Sequence, residues 1–128
     1  MPFETTSATT WRFLNPRLQV RNVRQAQEYY RDVFGLEIRW VWGDDIGGVG
    51  VGDLEMYLVR RDEPTRSEIA VFVEDSDAVY ERCCEAGANI VTPIATEEWG
   101  LRGFTVEDAD GNRIGIAHEV QSPEGQPE

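Results

Sequence analysis

The sequence is short of positive charge: 12 Lys and Arg face 24 Asp and Glu across 128 residues, a formal net charge of −12. Phosphate binding needs a basic surface that releases counterions, so this balance argues against a nucleic-acid partner. It favours a cationic ligand, with plain solubility as the simpler alternative. Long hydrophobic runs are also missing. No stretch approaches the roughly 20 apolar residues that cross a bilayer, and the start, Met-Pro-Phe-Glu-Thr-Thr, has neither a basic n-region nor a hydrophobic h-region. The expectation is a cytoplasmic protein with no membrane partner. Cysteine and histidine are scarce too. Cys83 and Cys84 stand side by side with no second Cys/His pair near them, which reads as reduced thiols with at least one in the core, and His118 is the one histidine. There is no Gly-x-Ser-x-Gly elbow and no phosphate-binding loop. Gly47-Gly48-Val49-Gly50 lacks a following Lys and reads as a hairpin turn.

What is present has the patterning of a folded chain, with 41% hydrophobic residues. Residues 1–12 lack periodicity and read as a flexible arm. Leu14, Leu18 and Val20 suggest a strand interrupted by Pro16. Asn22 with Gln25 has the spacing of a helix cap ahead of Val23, Ala26, Tyr30, Val33 and Phe34, and Gly35 is a stop. In the following strand, Leu36 to Trp42, period-2 counting places Ile38, Trp40 and Trp42 on one face. Further on, Leu54, Met56 and Leu58 point one way and Glu55 and Tyr57 the other. The charged stretch RRDEPTR is a linker.

The order then repeats. Ile69, Val71 and Val73 form a strand face, and Asp75 or Ser76 caps a helix through Val79 and Cys83 that Gly87 stops. Ile90-Val91 leads to a hairpin whose strands, Leu101 to Glu107 and Arg113 to Ala117, flank Asp108-Ala109-Asp110-Gly111-Asn112. The repeat predicts an α+β fold of two βαβββ modules, residues 13–62 and 63–120, each too small for its own core but sufficient together. The last eight residues, QSPEGQPE, read as a disordered tail.

Three stretches resemble a known family. NPRLQVRNVRQAQEYYRDVFGLEI is similar to the opening of the vicinal-oxygen-chelate superfamily, SEIAVFVEDSDAVYERCCEAGANI to the same opening in its second half, and WGLRGFTVEDADGNRIGI to its closing hairpin. The superfamily holds glyoxalases, extradiol dioxygenases and bleomycin-resistance proteins. The resemblance implies paired modules whose curved sheets enclose a cavity, often completed in a homodimer. In metal-dependent members each module gives two inward ligands, and the matching positions here are Asn15, Glu55, Glu68 and Gly115. Glycine has no donor, so Asn15, Glu55 and Glu68 remain as a weak set suited to a hard cation. His118 lies three residues past the empty position, on the opposite face of its strand.

Among subfamilies the chain most resembles the bleomycin-resistance proteins, through Trp99, Gly100, Arg102 and Phe104. That implies a metal-independent binder of an aromatic or cationic small molecule with no cofactor. The candidate ligand residues are Trp40, Trp42, Glu55, Tyr57, Glu68, Phe72, Trp99 and Arg102. Each has a plainer reading: aromatics pack cores, and carboxylates at strand ends are usually solvated. If Glu55 and Glu68 face one cavity, they raise each other's pKa unless a cation or Arg17 stands between them. Two alternatives stay open, a divalent-metal enzyme of the same superfamily and a scaffold that fills its cavity with its own side chains.

Overall fold

A computed structural model describes residues 9–120. The expectations for residues 1–8 and 121–128 fall outside it. The first module is β1 (Arg17–Val20), α1 (Val23–Phe34), β2 (Glu37–Trp42), β3 (Ile46–Val51) and β4 (Leu54–Arg60); the second is β5 (Glu68–Phe72), α2 (Ser76–Glu85), β6 (Asn89–Thr96), β7 (Leu101–Glu107) and β8 (Arg113–Glu119). The strands form two four-stranded sheets, β1-β4-β3-β2 and β5-β8-β7-β6. In each, the first strand runs parallel to the last and the other pairings are antiparallel. This is the α+β fold of two βαβββ modules.

The caps follow the local chemistry. Asn22 Oδ1 accepts the Gln25 N–H at 2.9 Å, so one of α1's otherwise unpaired donors is satisfied. Gly35 ends α1 with φ 78°, a left-handed conformation in which its N–H returns to the Arg31 carbonyl. Of the two cap candidates for α2, Asp75 takes the role by accepting the Ala78 N–H at 3.2 Å. The strand expected from Leu14 begins only at Arg17, because Pro16 has no N–H to give the ladder.

The two modules share one core. Leu18, Val20, Val49, Met56 and Leu58 of the first sheet, Phe104, Val106, Ile114 and Ile116 of the second, and Tyr30, Val33 and Cys83 of the helices form a single buried cluster. Each such side chain contributes about 1.5–3 kcal/mol on burial. A polar clamp sits beside it. The Tyr30 hydroxyl donates to Asp108 Oδ2 at 2.7 Å, and the Asn112 amide donates to the Gln19 carbonyl at 2.9 Å. Burial and the Asp108 charge push the Tyr30 phenol far above its ordinary pKa, so it remains a donor.

With one face of each sheet in this core, strand alternation turns the other face outward. In the first sheet the outward set includes Arg17, Gly48, Glu55 and Tyr57, and in the second Glu68, Ala70, Phe72, Thr105 and Gly115. The expected shared face of Ile38, Trp40 and Trp42 needs correcting. Ile38 pairs with core-facing Val49, while Trp40 pairs with outward Gly48, because a β-bulge inserts Arg39 between them. An extra residue shifts the alternation by one. Trp40 and Trp42 therefore face outward and Ile38 faces the other way.

Candidate functional site

The outward face of the first sheet carries a linked set of side chains. Gly48 lies between Trp40 on one neighbouring strand and Tyr57 on the other. A Cβ on Gly48 would collide with the Trp40 indole, so this glycine lets the ring lie flat across the sheet. The ring meets Tyr57 edge-on, centroids 5.3 Å apart at 77°. Its Nε1 donates to Glu55 Oε2 at 2.8 Å. The other Glu55 oxygen is 3.6 Å from the Arg39 guanidinium, which itself donates to the Gly52 carbonyl. On the far side, the Arg17 guanidinium stands 5.8 Å from the Tyr57 ring centre, within cation–π range. The result is an aromatic corner bordered by two arginines and one half-buried carboxylate.

Of the eight candidate ligand residues, the structure brings Trp40, Glu55 and Tyr57 into direct contact, with Trp42 further along the same strand face and exposed. Glu68 and Phe72 belong to the outward face of the second sheet, Glu68 in register with Arg113. Trp99 is exposed in the β6–β7 turn. Arg102 stands apart from the others. It pairs with His118 on the helix-facing side of β7 and holds Asp77 of α2 through two bonds, Nε to Oδ2 at 2.9 Å and Nη2 to Oδ1 at 2.8 Å. That bond holds the Asp77 carboxyl below its usual range. Arg102 thus secures the start of α2 and is turned away from the aromatic corner.

His118 also serves the fold. Its Nδ1 accepts the Ser76 N–H at 2.9 Å, at the first turn of α2, with the buried Ser76 hydroxyl 2.8 Å away. Strict alternation leaves no place for a bulge, so Arg39 at this site is not legible from the strand pattern. Of the two possibilities, Arg17 or another cation, it is Arg39 that stands at Glu55, while Arg17 lies over Tyr57.

A family model for the glyoxalase/bleomycin resistance protein/dioxygenase superfamily matches residues 12–116. The chain belongs to that superfamily. Solved structures with this fold include TioX from Micromonospora sp. ML1 (TM-score 0.74, 23% identity, 84% of this chain and 100% of that one). A glyoxalase-related enzyme from Clostridium phytofermentans superposes with TM-score 0.77 at 18% identity, over 88% of this chain and 98% of that one. Lactoylglutathione lyase from Agrobacterium tumefaciens gives 0.72 at 14% identity, over 89% and 96%. No curated protein matches the sequence.

The donor set does not fit the divalent ion of the superfamily's metal-dependent members. Gly115 offers no donor atom. The Asn15 amide nitrogen is committed to the Glu55 main-chain carbonyl at 2.7 Å. Among the described residues no three His, Cys, Asp or Glu side chains are grouped to hold a metal. A catalytic ion of this kind wants about three protein ligands.

Proposed function

We propose that the chain is a metal-independent binding protein of the bleomycin-resistance type, which holds a small planar aromatic or cationic molecule and works as a homodimer. The Trp40–Tyr57–Glu55 corner carries this reading. Two perpendicular rings offer a wall and an edge for a flat ligand. Arg39 already stands at the carboxylate beside them, so the attraction for positive charge comes from the strongly acidic chain as a whole. A second copy setting its own second sheet against this corner supplies the opposite wall. There Ala70, Thr105 and Gly115 leave room for a ring, and Glu68 and Phe72 border the space. Trp42 and Trp99, both exposed, are further contacts for a ligand of bleomycin size.

Tryptophan fluorescence titration with bleomycin-like glycopeptides and a panel of cationic aromatic compounds tests the reading. Saturable quenching at micromolar concentration, lost in Trp40→Ala, is the expected result. No response across the panel overturns it. The competing divalent-metal enzyme predicts stoichiometric Mn, Fe, Ni or Zn in protein purified without chelators and its loss in Glu55→Ala.

A further inference from the structure

Register places four residues in one cross-strand row on the outward face of the first sheet. Arg17 of β1 pairs with Tyr57 of β4, Tyr57 with Gly48 of β3, and Gly48 with Trp40 of β2. Three interstrand spacings make this row roughly 14 Å wide. It crosses the whole sheet, with the indole at one end, the guanidinium at the other and the phenol between them. The neighbouring row holds Glu55, Gly50 and Glu37.

These two rows and the bulge carry two charges of each sign, Arg17 and Arg39 against Glu37 and Glu55, but the charges are unevenly shared. Arg39 takes both carboxylates, Glu37 at 3.1 Å and Glu55 at 3.6 Å, and the other Glu55 oxygen accepts the Trp40 indole N–H. Among the described residues Arg17 forms no ion pair. The contact it does make is with the Tyr57 ring, 5.8 Å from its centre. An unpaired arginine in open water is ordinary. This one is held beside an aromatic wall by a cation–π contact, so less freedom is lost when its head takes up an anion. Its planar fork of N–H donors matches a carboxylate.

We infer that the ligand of this corner is an aromatic acid whose ring lies against Trp40 and Tyr57 and whose carboxylate is taken by Arg17. This rests on the binding reading above and names the ligand's chemical class. The row sets the ligand's direction. A substituent that continues along it from the indole crosses the phenol and arrives at the guanidinium, whereas a substituent turned toward Glu55 meets a like charge. Any positive charge the ligand also carries lies away from this row. The chain's net −12 does not cancel the contact. At physiological ionic strength exposed charges more than about 8 Å apart are largely screened, so an acid group at Arg17 responds to the arginine it touches before the distant carboxylates.

Isothermal titration calorimetry of the full chain with three matched probes, naphthoate, naphthamide and naphthylmethylammonium, tests this in wild type, Arg17→Gln and Arg17→Lys. Arg17 is exposed, so neither substitution threatens the fold. Wild type is expected to hold naphthoate about tenfold tighter than naphthamide. Arg17→Gln brings naphthoate down to the naphthamide affinity and leaves naphthamide itself unchanged. Arg17→Lys keeps part of the preference, because the charge stays and the fork is gone. Equal weakening of all three probes in Arg17→Gln overturns the inference, since Arg17 then only positions Tyr57. A wild type that prefers the ammonium, or shows no preference for the acid, also overturns it. If the preference then emerges in Glu68→Gln, Arg17 belongs to an ion pair between two copies. Each of these outcomes leaves binding at Trp40 standing. Failure of the three probes alone overturns the aromatic acid, and failure of the bleomycin-like panel as well overturns the binding reading with it.

Discussion

Glu55 fixes Trp40: the indole Nε1 donates to Oε2 at 2.8 Å while Arg39 approaches the other carboxylate oxygen at 3.6 Å. Position and charge are thus two separable contributions of one side chain. Glu55→Gln keeps an oxygen that can accept the indole N–H and removes the charge. Glu55→Ala removes both. For a cationic aromatic ligand, Glu55→Gln is expected to weaken binding about tenfold, roughly 1.4 kcal/mol, with the tryptophan emission maximum of the free protein unchanged. Glu55→Ala is expected to weaken it further and to shift that maximum to the red. Isothermal titration calorimetry together with emission spectra of the free variants distinguishes the two.

Two glycines of the outward faces answer differently to the same change. A Cβ at Gly48 runs into the Trp40 indole, whereas at Gly115 it meets the Ile69 carbonyl at 3.6 Å and Thr105 Oγ1 at 4.0 Å, ordinary contact distances. Gly115 is also absent from the positive-φ glycines. Its Cβ-free surface is therefore not required by the fold, and Gly115→Ala is expected to raise stability by about 0.4–1 kcal/mol through the unfolded chain. Gly48→Ala is expected to displace Trp40 and lower ligand affinity about tenfold. Urea unfolding of the first variant and fluorescence titration of the second check these outcomes. A destabilised Gly115→Ala contradicts the room seen at that position.

The fold was legible because its signals are local and repeated. Asn22, Gly35 and Asp75 announce their helix ends by chemistry, and alternation at Leu54–Leu58 separates the buried face from Glu55 and Tyr57. The site was less legible, for two reasons. The bulge at Arg39 breaks the count that alternation depends on, so counting alone puts Ile38 with the tryptophans and passes over Arg39. Arg102 sits in a stretch resembling a ligand-gripping hairpin, but its direction depends on which face of β7 meets α2, and Asp77 decides that from a distance of 25 residues. Neighbours in space, not in sequence, set both outcomes.

The start of α2 has a buried and an exposed support, and they differ in strength. Ser76 is fully buried, donates to the Arg102 carbonyl at 2.9 Å and presents its N–H to His118. Removing one partner of a buried bond costs about 1–3 kcal/mol, so His118→Phe is expected to lose that much in chemical denaturation. The Asp77–Arg102 pair is in contact with water, where such pairs contribute little. Its pH dependence has a definite sign. The Arg102 bond depresses the Asp77 pKa in the folded state, so its small stabilisation is present above about pH 4, the unfolded value, and is lost as pH falls through the folded value. Asp77→Asn removes that acid-side slope, read from melting temperatures between pH 3 and 7, and leaves stability near neutrality almost unchanged.

The two modules are held in register by Tyr30 and Asp108 as well as by the shared core. Asp108 is nearly buried and accepts from four donors: the Tyr30 hydroxyl, the Asp110 and Asn112 main-chain N–H groups, and the Asn112 amide. Tyr30→Phe takes away one of the four and keeps the ring stacked on Phe34 at 5.5 Å, so its expected cost is modest, about 1 kcal/mol. Asp108→Ala leaves the phenol, two main-chain donors and an amide without their acceptor at once. Several buried donors stranded together put its cost at roughly 3–5 kcal/mol, the range for breaking a buried charged network. Because those donors come from α1 on one side and the β7–β8 turn on the other, the loss is expected to separate the modules' unfolding. Urea transitions followed by tryptophan fluorescence in a Trp11→Phe/Trp99→Phe background, where Trp40 and Trp42 of the first module are the remaining reporters, should part from those followed by far-UV circular dichroism. Coincident transitions in Asp108→Ala show that the shared apolar core alone couples the modules.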